Sequence, residues 1–177
     1  MNGQIDNDNP GEKKLGQGML YISWIIAFAL LTLFTSSWLD SRDNPNRMPE
    51  ASSADGVNEV ILERNYQHHY VTNGQINDSE VTLLIDTGAT HVSIPQHVAR
   101  ELGLQEGIRG YAQTANGTVE VSATVINKLD IGSITLYDVR ASINPGMEQD
   151  EILLGMSALK NIEFTHRNGV LTLKQYY

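Results

Sequence analysis

A single aspartate at the break between two apolar segments is the residue of this sequence best suited to chemistry. Asp86 follows the apolar stretch 81–85 and opens the triplet Asp-Thr-Gly, and the apolar pattern resumes at 90–94. A carboxylate between two buried strands is costly unless it is hydrogen-bonded or takes part in acid–base chemistry. The alternative is an Asp that caps a turn through nearby backbone N–H groups. Because carboxylates are rarely buried without a role, the pattern favours a functional group.

Composition excludes several other kinds of site. The chain has 12 Lys and Arg against 21 Asp and Glu, so we expect no nucleic-acid partner. It has no cysteine, which excludes disulfides, thiolate metal ligands and cysteine nucleophiles. The histidines show no recurrent metal-ligand spacing, so we expect no metal and no cofactor. These histidines are His68, His69, His91, His97 and His166.

The N-terminal third predicts a membrane anchor ahead of a folded domain. Residues 1–18 form a flexible polar tail, and residues 19–39 are apolar over a length that crosses a bilayer. A signal peptide is the alternative, but its apolar core would be shorter and no Ala-x-Ala-like cleavage site follows. Residues 40–58 read as a linker, and residues 59–177 as the domain. The numbers of basic residues on the two sides of the apolar segment are equal, so they do not set its orientation. Because a short N-terminal tail usually stays in the cytoplasm, we expect the domain on the outer, periplasmic side.

The domain itself alternates short strands with turn signals, which predicts an all-β sandwich or closed barrel. Pro95, with apolar residues at helical spacing after it, predicts one short helix. The dipeptide Asn116-Gly117 predicts a hairpin within 111–121, and 156–161 predicts a further helical turn. The strands on either side of Asp86 would therefore hold it in a β-rich frame.

These motifs together resemble the retropepsin-like aspartic proteases, in particular their bacterial membrane-anchored branch. The resemblance covers 67–173, and its specific part is Asp-Thr-Gly-Ala with a downstream apolar-apolar-Gly triplet. It implies a closed retropepsin-like acid-protease barrel with one or two short helices, after a single transmembrane helix. The implied activity is that of an aspartic endopeptidase acting on peptide or protein substrates. The matching segments are Gly74–Asn77, Leu84–Thr90, Thr114–Gly117, Ile131–Ile134 and Leu153–Ser157.

Peptide hydrolysis by this chemistry needs two carboxylates, and the chain supplies one. One carboxylate activates a water as general base, while the other, protonated, hydrogen-bonds the scissile carbonyl. Two carboxylates about 3 Å apart cannot both ionise, so they share a proton. Asp130-Ile131-Gly132 lacks the threonine of the motif, and Asp55-Gly56 lies in the predicted linker. The pair must therefore come from Asp86 of two chains across a two-fold axis, which predicts a homodimer.

The resemblance also implies roles for the neighbours of Asp86. The hydroxyl of Thr87 would bond across the dimer axis, and Gly88 would let backbone N–H groups approach the carboxylates. Many two-lobed relatives carry a hydroxyl where this chain has Ala89, and losing that donor disfavours the ionised pair. We therefore expect an activity optimum nearer mildly acidic or neutral pH than that of pepsin.

Two further segments complete the expected site. Thr114, Ala115, Asn116 and Gly117 would form the tip of a mobile flap that closes over substrate, although Asn-Gly also fits an ordinary hairpin turn. Leu154 and Gly155 would belong to the strand packed behind Asp86. A different class of function stays open at this point, namely a non-proteolytic retropepsin-like module that dimerises and binds extended peptides by strand addition.

Overall fold

The computed structural model describes residues 10–114 and 117–177, with the side chains of 10–17, 37 and 40 left aside. The chain divides into two compact units, one ending at Asp40 and the other spanning Ser41–Tyr177. The elements, in chain order, are α1 Pro10–Asp43, β1 Glu50–Ala54, β2 Val57–Glu63, β3 Tyr70–Ile76, β4 Ser79–Ile85, β5 Val92–Pro95, α2 Gln96–Glu101, β6 Arg109–Thr114, β7 Gly117–Ile131, β8 Ile134–Asn144, β9 Ile152–Leu154, α3 Met156–Leu159, β10 Glu163–Arg167 and β11 Val170–Tyr176.

The first unit is dominated by the apolar helix α1. Its part from Gly18 to Asp43 is 26 residues long and passes the length and composition test for a membrane span. At 1.5 Å per residue that part is about 39 Å long, enough for the apolar core of a bilayer. The large apolar side chains from Met19 to Leu39 are all exposed. A signal sequence also meets these criteria of length and composition.

The ends of α1 differ from the expected boundaries. The helix begins at Pro10, so residues 10–18 are helical rather than a flexible tail, whereas residues 1–9 lie outside the described part of the chain. It ends at Asp43, inside the predicted linker. The cooperativity of helix formation explains both differences, because a long helix extends into adjoining residues at little cost. Proline also suits a first helical position, where its missing N–H is not needed.

The predicted linker differs more strongly from the structure. Residues 50–54 form β1, which pairs antiparallel with β2 from Glu50↔Ile61 to Ala54↔Val57. Asn44 and Asn46 are buried, with 8% and 4% of their surface exposed. Hydrogen bonds, and not the burial of apolar side chains, order these polar residues. The polar composition of the segment therefore predicted a linker wrongly. The ordered second unit therefore begins well before Glu59.

The second unit is a closed β structure, which confirms the predicted fold class. Seven strands follow the order β3-β4-β9-β5-β8-β7-β6, and an extra β3–β7 pairing closes the ring. The remaining strands form a four-stranded sheet in the order β1-β2-β11-β10. Successive side chains of a strand point to opposite faces of the sheet, so every second residue can face the core. In β4, Val81, Leu83 and Ile85 are buried, and the residues between them are not fully buried. Their side chains belong to one apolar core shared with β7, β8 and β9.

Candidate active site

Asp86 lies in a tight loop directly after β4. Its backbone N–H donates to the Leu154 carbonyl oxygen at 3.1 Å, and its own carbonyl accepts from the N–H of Ala89 at 3.3 Å. The Gly88 N–H donates to Asp86 Oδ1 at 2.8 Å. A Cβ on Gly88 would lie 3.2 Å from that same oxygen, tighter than ordinary side-chain contacts. The loop therefore fixes a partly exposed carboxylate, and glycine gives its oxygen the room to bond the backbone.

The strand behind Asp86 is β9, inserted between β4 and β5. It runs parallel to β4 with Ile85 opposite Leu154, and it meets β5 at Ser93↔Leu153. Parallel neighbours cannot be joined by a short turn, so the chain makes a long excursion before returning to this place. The predicted strand of Leu154 and Gly155 thus lies beside the carboxylate loop.

Gly155 is required by close backbone packing. A Cβ there would clash with the carbonyl oxygen of His91 and would lie 2.7 Å from that of Ala89. Both atoms are backbone and cannot rotate away. A hydrogen bond also joins the two segments, because the Met156 N–H donates to the Ala89 carbonyl oxygen at 2.8 Å. The glycine therefore allows the end of β9 to seat directly against the Asp-Thr-Gly loop.

Ser157 holds the same loop from the other side, and sequence reasoning assigned it no role. Its Oγ accepts from the Val92 N–H at 2.9 Å and donates to the Arg140 carbonyl oxygen at 2.9 Å. Its own N–H donates to the Thr90 oxygen at 2.9 Å. One serine thus ties β5, β8 and the loop together. The available signal was a hydroxyl residue two positions after the glycine of the Leu-Leu-Gly triplet.

A groove of about 1500 Å³ opens above Asp86. The hairpin of β6 and β7 forms one side of it, with Thr114 paired to Gly117 and its Oγ1 donating to the Gly117 oxygen at 2.8 Å. Ala115 and Asn116, the other two predicted flap residues, lie outside the described residues. The groove lining mixes small residues with larger apolar and polar ones, among them Leu104, Tyr111, Arg140 and Met147.

Asp130, which sequence reasoning set aside as a second carboxylate, does not line this groove. Asp130 lies on β7, where it accepts from Thr135 Oγ1 at 2.7 Å and lies 2.9 Å from Lys128 Nζ. The hydrogen bonds from Lys128 to Asp130 and Asp78 raise the pKa of that lysine. Asp130 is thus a structural ion-pair partner, and Asp86 is the Asp-Thr-Gly carboxylate of this unit. Thr87 is exposed next to it.

Within the described residues no three His, Asp or Glu side chains are arranged to hold a metal ion. The candidate site combines the Asp86 carboxylate, the Gly88 N–H that bonds it and the groove beside the β6–β7 hairpin. This arrangement resembles that of the retropepsin-like aspartic proteases.

Comparisons with known proteins support this class. The chain belongs to the family described as "gag-polyprotein putative aspartyl protease", whose model matches residues 72–161. Among solved structures it is similar to a retropepsin-like aspartic protease from Rickettsia conorii, at 25% identity and a TM-score of 0.57. That match covers 70% of this chain and 96% of the other.

Two uncharacterized proteins are also similar. One lies in the cobV 5′ region of Sinorhizobium sp and is 27% identical over 122 residues, covering 67% of this chain and 52% of that protein. The other, from Rickettsia prowazekii (strain Madrid E), is 27% identical over 110 residues, covering 60% and 47%. The chain therefore spans about half the length of the curated relatives it matches.

Proposed function

We propose that this protein is an aspartic endopeptidase whose active unit is a homodimer. The observation that carries the proposal is the Asp86 loop, in which the carboxylate accepts a hydrogen bond from Gly88 N–H at the floor of the long groove. The sequence has one Asp-Thr-Gly triplet, so a pair of such carboxylates needs a second chain. A two-fold axis would bring the two loops face to face.

The proposed reaction uses one water and both Asp86 carboxyl groups. The ionised carboxylate takes a proton from the water while the water oxygen attacks the peptide carbonyl carbon. The protonated carboxyl of the other copy donates its proton to the carbonyl oxygen, so no free oxyanion forms. When the C–N bond breaks, a carboxyl group gives its proton to the leaving nitrogen, and a hydroxyl of the tetrahedral intermediate returns a proton to a carboxylate as the new C=O bond forms. The pair ends with one shared proton and is ready for another cycle.

Neighbouring residues would support that pair. The exposed hydroxyl of Thr87 is free to face the partner's loop across the axis, and Ala89 offers no donor to the carboxylates. Leu154 and Gly155 would hold the loop in place from β9. The hairpin from Thr114 to Gly117 would close over the peptide and exclude water.

We also propose that residues 19–39 anchor the protein in a membrane, with residues 41–177 forming the protease domain on its outer, periplasmic side. The exposed apolar helix α1 supports an anchor of this kind. Confinement to a membrane raises the effective concentration of the chains and would favour dimerisation.

The experiment compares the full chain with its Asp86→Asn variant on an unfolded protein substrate. Replacing the carboxylate by an amide keeps the shape but removes the general base, so cleavage should fall by about a hundredfold or more. Asp55→Asn is the matched control, because Asp55 is an exposed turn residue with a φ of 53°, a conformation that Asn also accepts. Equal cleavage by the Asp86→Asn variant would refute the proposal. It would leave the peptide-binding module as the better description.

A further inference from the structure

A second cavity adjoins the groove and shares three residues with it. This cavity has a volume of about 780 Å³ and lies between β8 and α3. Thr90, His91 and Arg140 line both spaces. Because Thr90 and His91 follow the Asp-Thr-Gly-Ala loop directly, the second cavity continues the groove from the immediate surroundings of Asp86.

The shared corner carries positive charge in an otherwise acidic unit. Residues 59–177 contain 8 Lys and Arg against 14 Asp and Glu. Arg140 and Lys160 nevertheless lie at the same cavity, with His91 beside them and Asp138 as the acidic residue in its lining. Among the described residues, no carboxylate lies within ion-pair distance of either cation. Their charges are available to a ligand.

The backbone under these cations is held firmly. The Arg140 carbonyl accepts from Ser157 Oγ at 2.9 Å, and the Ser157 N–H bonds Thr90 at 2.9 Å. Lys160 follows the short helix α3, and its N–H donates to the Met156 oxygen at 3.0 Å. Arg140 lines both the groove and the second cavity, and Lys160 lines the second cavity. Only their flexible tips need to be ordered when an anion binds.

We infer that this cationic corner, defined by Arg140 and Lys160, selects peptide substrates that carry an Asp or Glu side chain at a position removed from the scissile bond. The inference rests on the proposed function, because it assigns a substrate class to the same groove. Asp86 and Arg140 line the same groove, so a peptide bound there with its scissile bond at Asp86 would pass Arg140 with another of its residues. Arg binds a carboxylate with two parallel hydrogen bonds, so the orientation of the two groups is fixed in addition to their attraction by charge.

The experiment uses matched peptides that differ only by Glu or Gln, with the substitution moved along both sides of the scissile bond. At one position the full chain should cleave the Glu peptide about fivefold faster in kcat/KM, the upper range of an exposed ion pair. Arg140→Gln and Lys160→Gln should each bring that ratio close to one. Arg140→Glu should invert it in favour of a Lys peptide.

Arg100→Gln is the matched control. Arg100 is an exposed arginine on α2 that lines neither cavity, so its loss should leave the Glu/Gln ratio unchanged. Raising the salt concentration to about 1 M should also suppress the preference, because the Debye length then falls to about 3 Å. Equal cleavage of Glu and Gln peptides at every position, or the same loss in the Arg100→Gln variant, would overturn the inference.

Two further outcomes separate this inference from the proposed function. Binding of the same labelled peptides to the Asp86→Asn variant is measured by fluorescence anisotropy. If the wild type cleaves no peptide but binding still prefers Glu through Arg140, the proposed function fails and the substrate class stands. If the wild type cleaves the Glu and Gln peptides equally fast, the proposed function stands and the inferred substrate class fails. If Arg140→Gln instead weakens dimerisation and slows both peptides equally, the corner serves the dimer and the inference is overturned.

Discussion

The replacement of Asn46 by alanine tests how the ordered segment before β2 is held. The Asn46 side chain is 4% exposed and bridges two sheets. Its Nδ2 donates to the carbonyl oxygens of Glu63 at 2.8 Å and Val71 at 2.7 Å, and its Oδ1 accepts from the Glu63 N–H at 2.6 Å. Glu63 is the last residue of β2 and Val71 is the second residue of β3. One amide therefore satisfies three backbone groups of two strands that are not paired with each other.

The magnitude follows from what alanine would leave unpaired. The Val71 oxygen is bonded in a buried setting, and a buried group without a partner costs about 1–3 kcal/mol. The two bonds to Glu63 are partly buried, so water can replace them at about 0.5–1.5 kcal/mol each. The free energy of unfolding should therefore fall by about 2–6 kcal/mol.

The assay is urea unfolding of the full chain, followed through the β signal in circular dichroism. Asn58→Ala is the matched control, because the Asn58 side chain makes one bond, to Gln175 Oε1 at 3.3 Å. That variant should lose no more than about 1 kcal/mol. Asn46→Asp keeps the acceptor but sets a charge against two carbonyl oxygens, so it should be at least as unstable as the alanine variant. If both Asn46 variants match Asn58→Ala, the reasoning about this bridge is wrong.

Three other predictions concern the loop, an ion pair and the pH optimum. Gly155→Ala should cost about 1–3 kcal/mol of stability in urea unfolding and most of the cleavage activity, because the new Cβ meets two fixed carbonyl oxygens; unchanged activity would contradict the close packing. Hydrogen bonds to Asp130 and Asp78 raise the pKa of Lys128, so the stability that its charge supplies is complete below about pH 10.4, the unfolded value, and declines as the pH rises through the folded value. The difference in urea midpoint between the wild type and Lys128→Met should therefore be constant near neutral pH and shrink in strong alkali, and a difference that grows there would reverse the sign. The pH–rate profile should peak at mildly acidic or neutral pH, and Ala89→Ser should move the peak to lower pH; a wild-type peak at roughly pH 2–3 would contradict the role given to Ala89.

Much of the fold could be predicted because its strands bury one face and turn at clear signals. The alternation in β4 and the apolar residues of β7 and β8 each specify a strand through local pattern. The helix α2 follows from Pro95 and two buried apolar residues, Val98 and Ala99. Local patterns of this kind are readable in one sequence because each depends on residues that are near neighbours.

The features that sequence reasoning missed depend on distant partners. The strand β1 reads Glu-Ala-Ser-Ser-Ala and is exposed along its whole length, so no apolar face marks it. It exists because β2 offers an open edge for pairing. Asn46 and Ser157 are buried or fixed by hydrogen bonds to strands far along the chain. A polar residue of this kind looks like a loop residue until its partners are known.

Part of the candidate site could be predicted from the sequence. Asp86, Gly88 and Gly155 have features that a sequence displays, namely a motif and positions where a side chain would not fit. The cationic corner of Arg140 and Lys160 cannot be predicted from the sequence, because it forms only where β8 and the end of α3 line the same cavity. The proposed second carboxylate would come from another chain, since the sequence holds one Asp-Thr-Gly triplet.

The central claim is that each active site takes one Asp86 from each of two chains. It is tested most directly by mixing the wild-type chain with a fourfold excess of the Asp86→Asn variant under conditions where chains exchange. If the dimer is the active unit, most wild-type chains pair with the variant, and activity per wild-type chain should fall to about one fifth. The same excess of Asp55→Asn, which keeps its own Asp86, should cause no such loss. Activity per wild-type chain that is unaffected by the Asp86→Asn excess would contradict the claim.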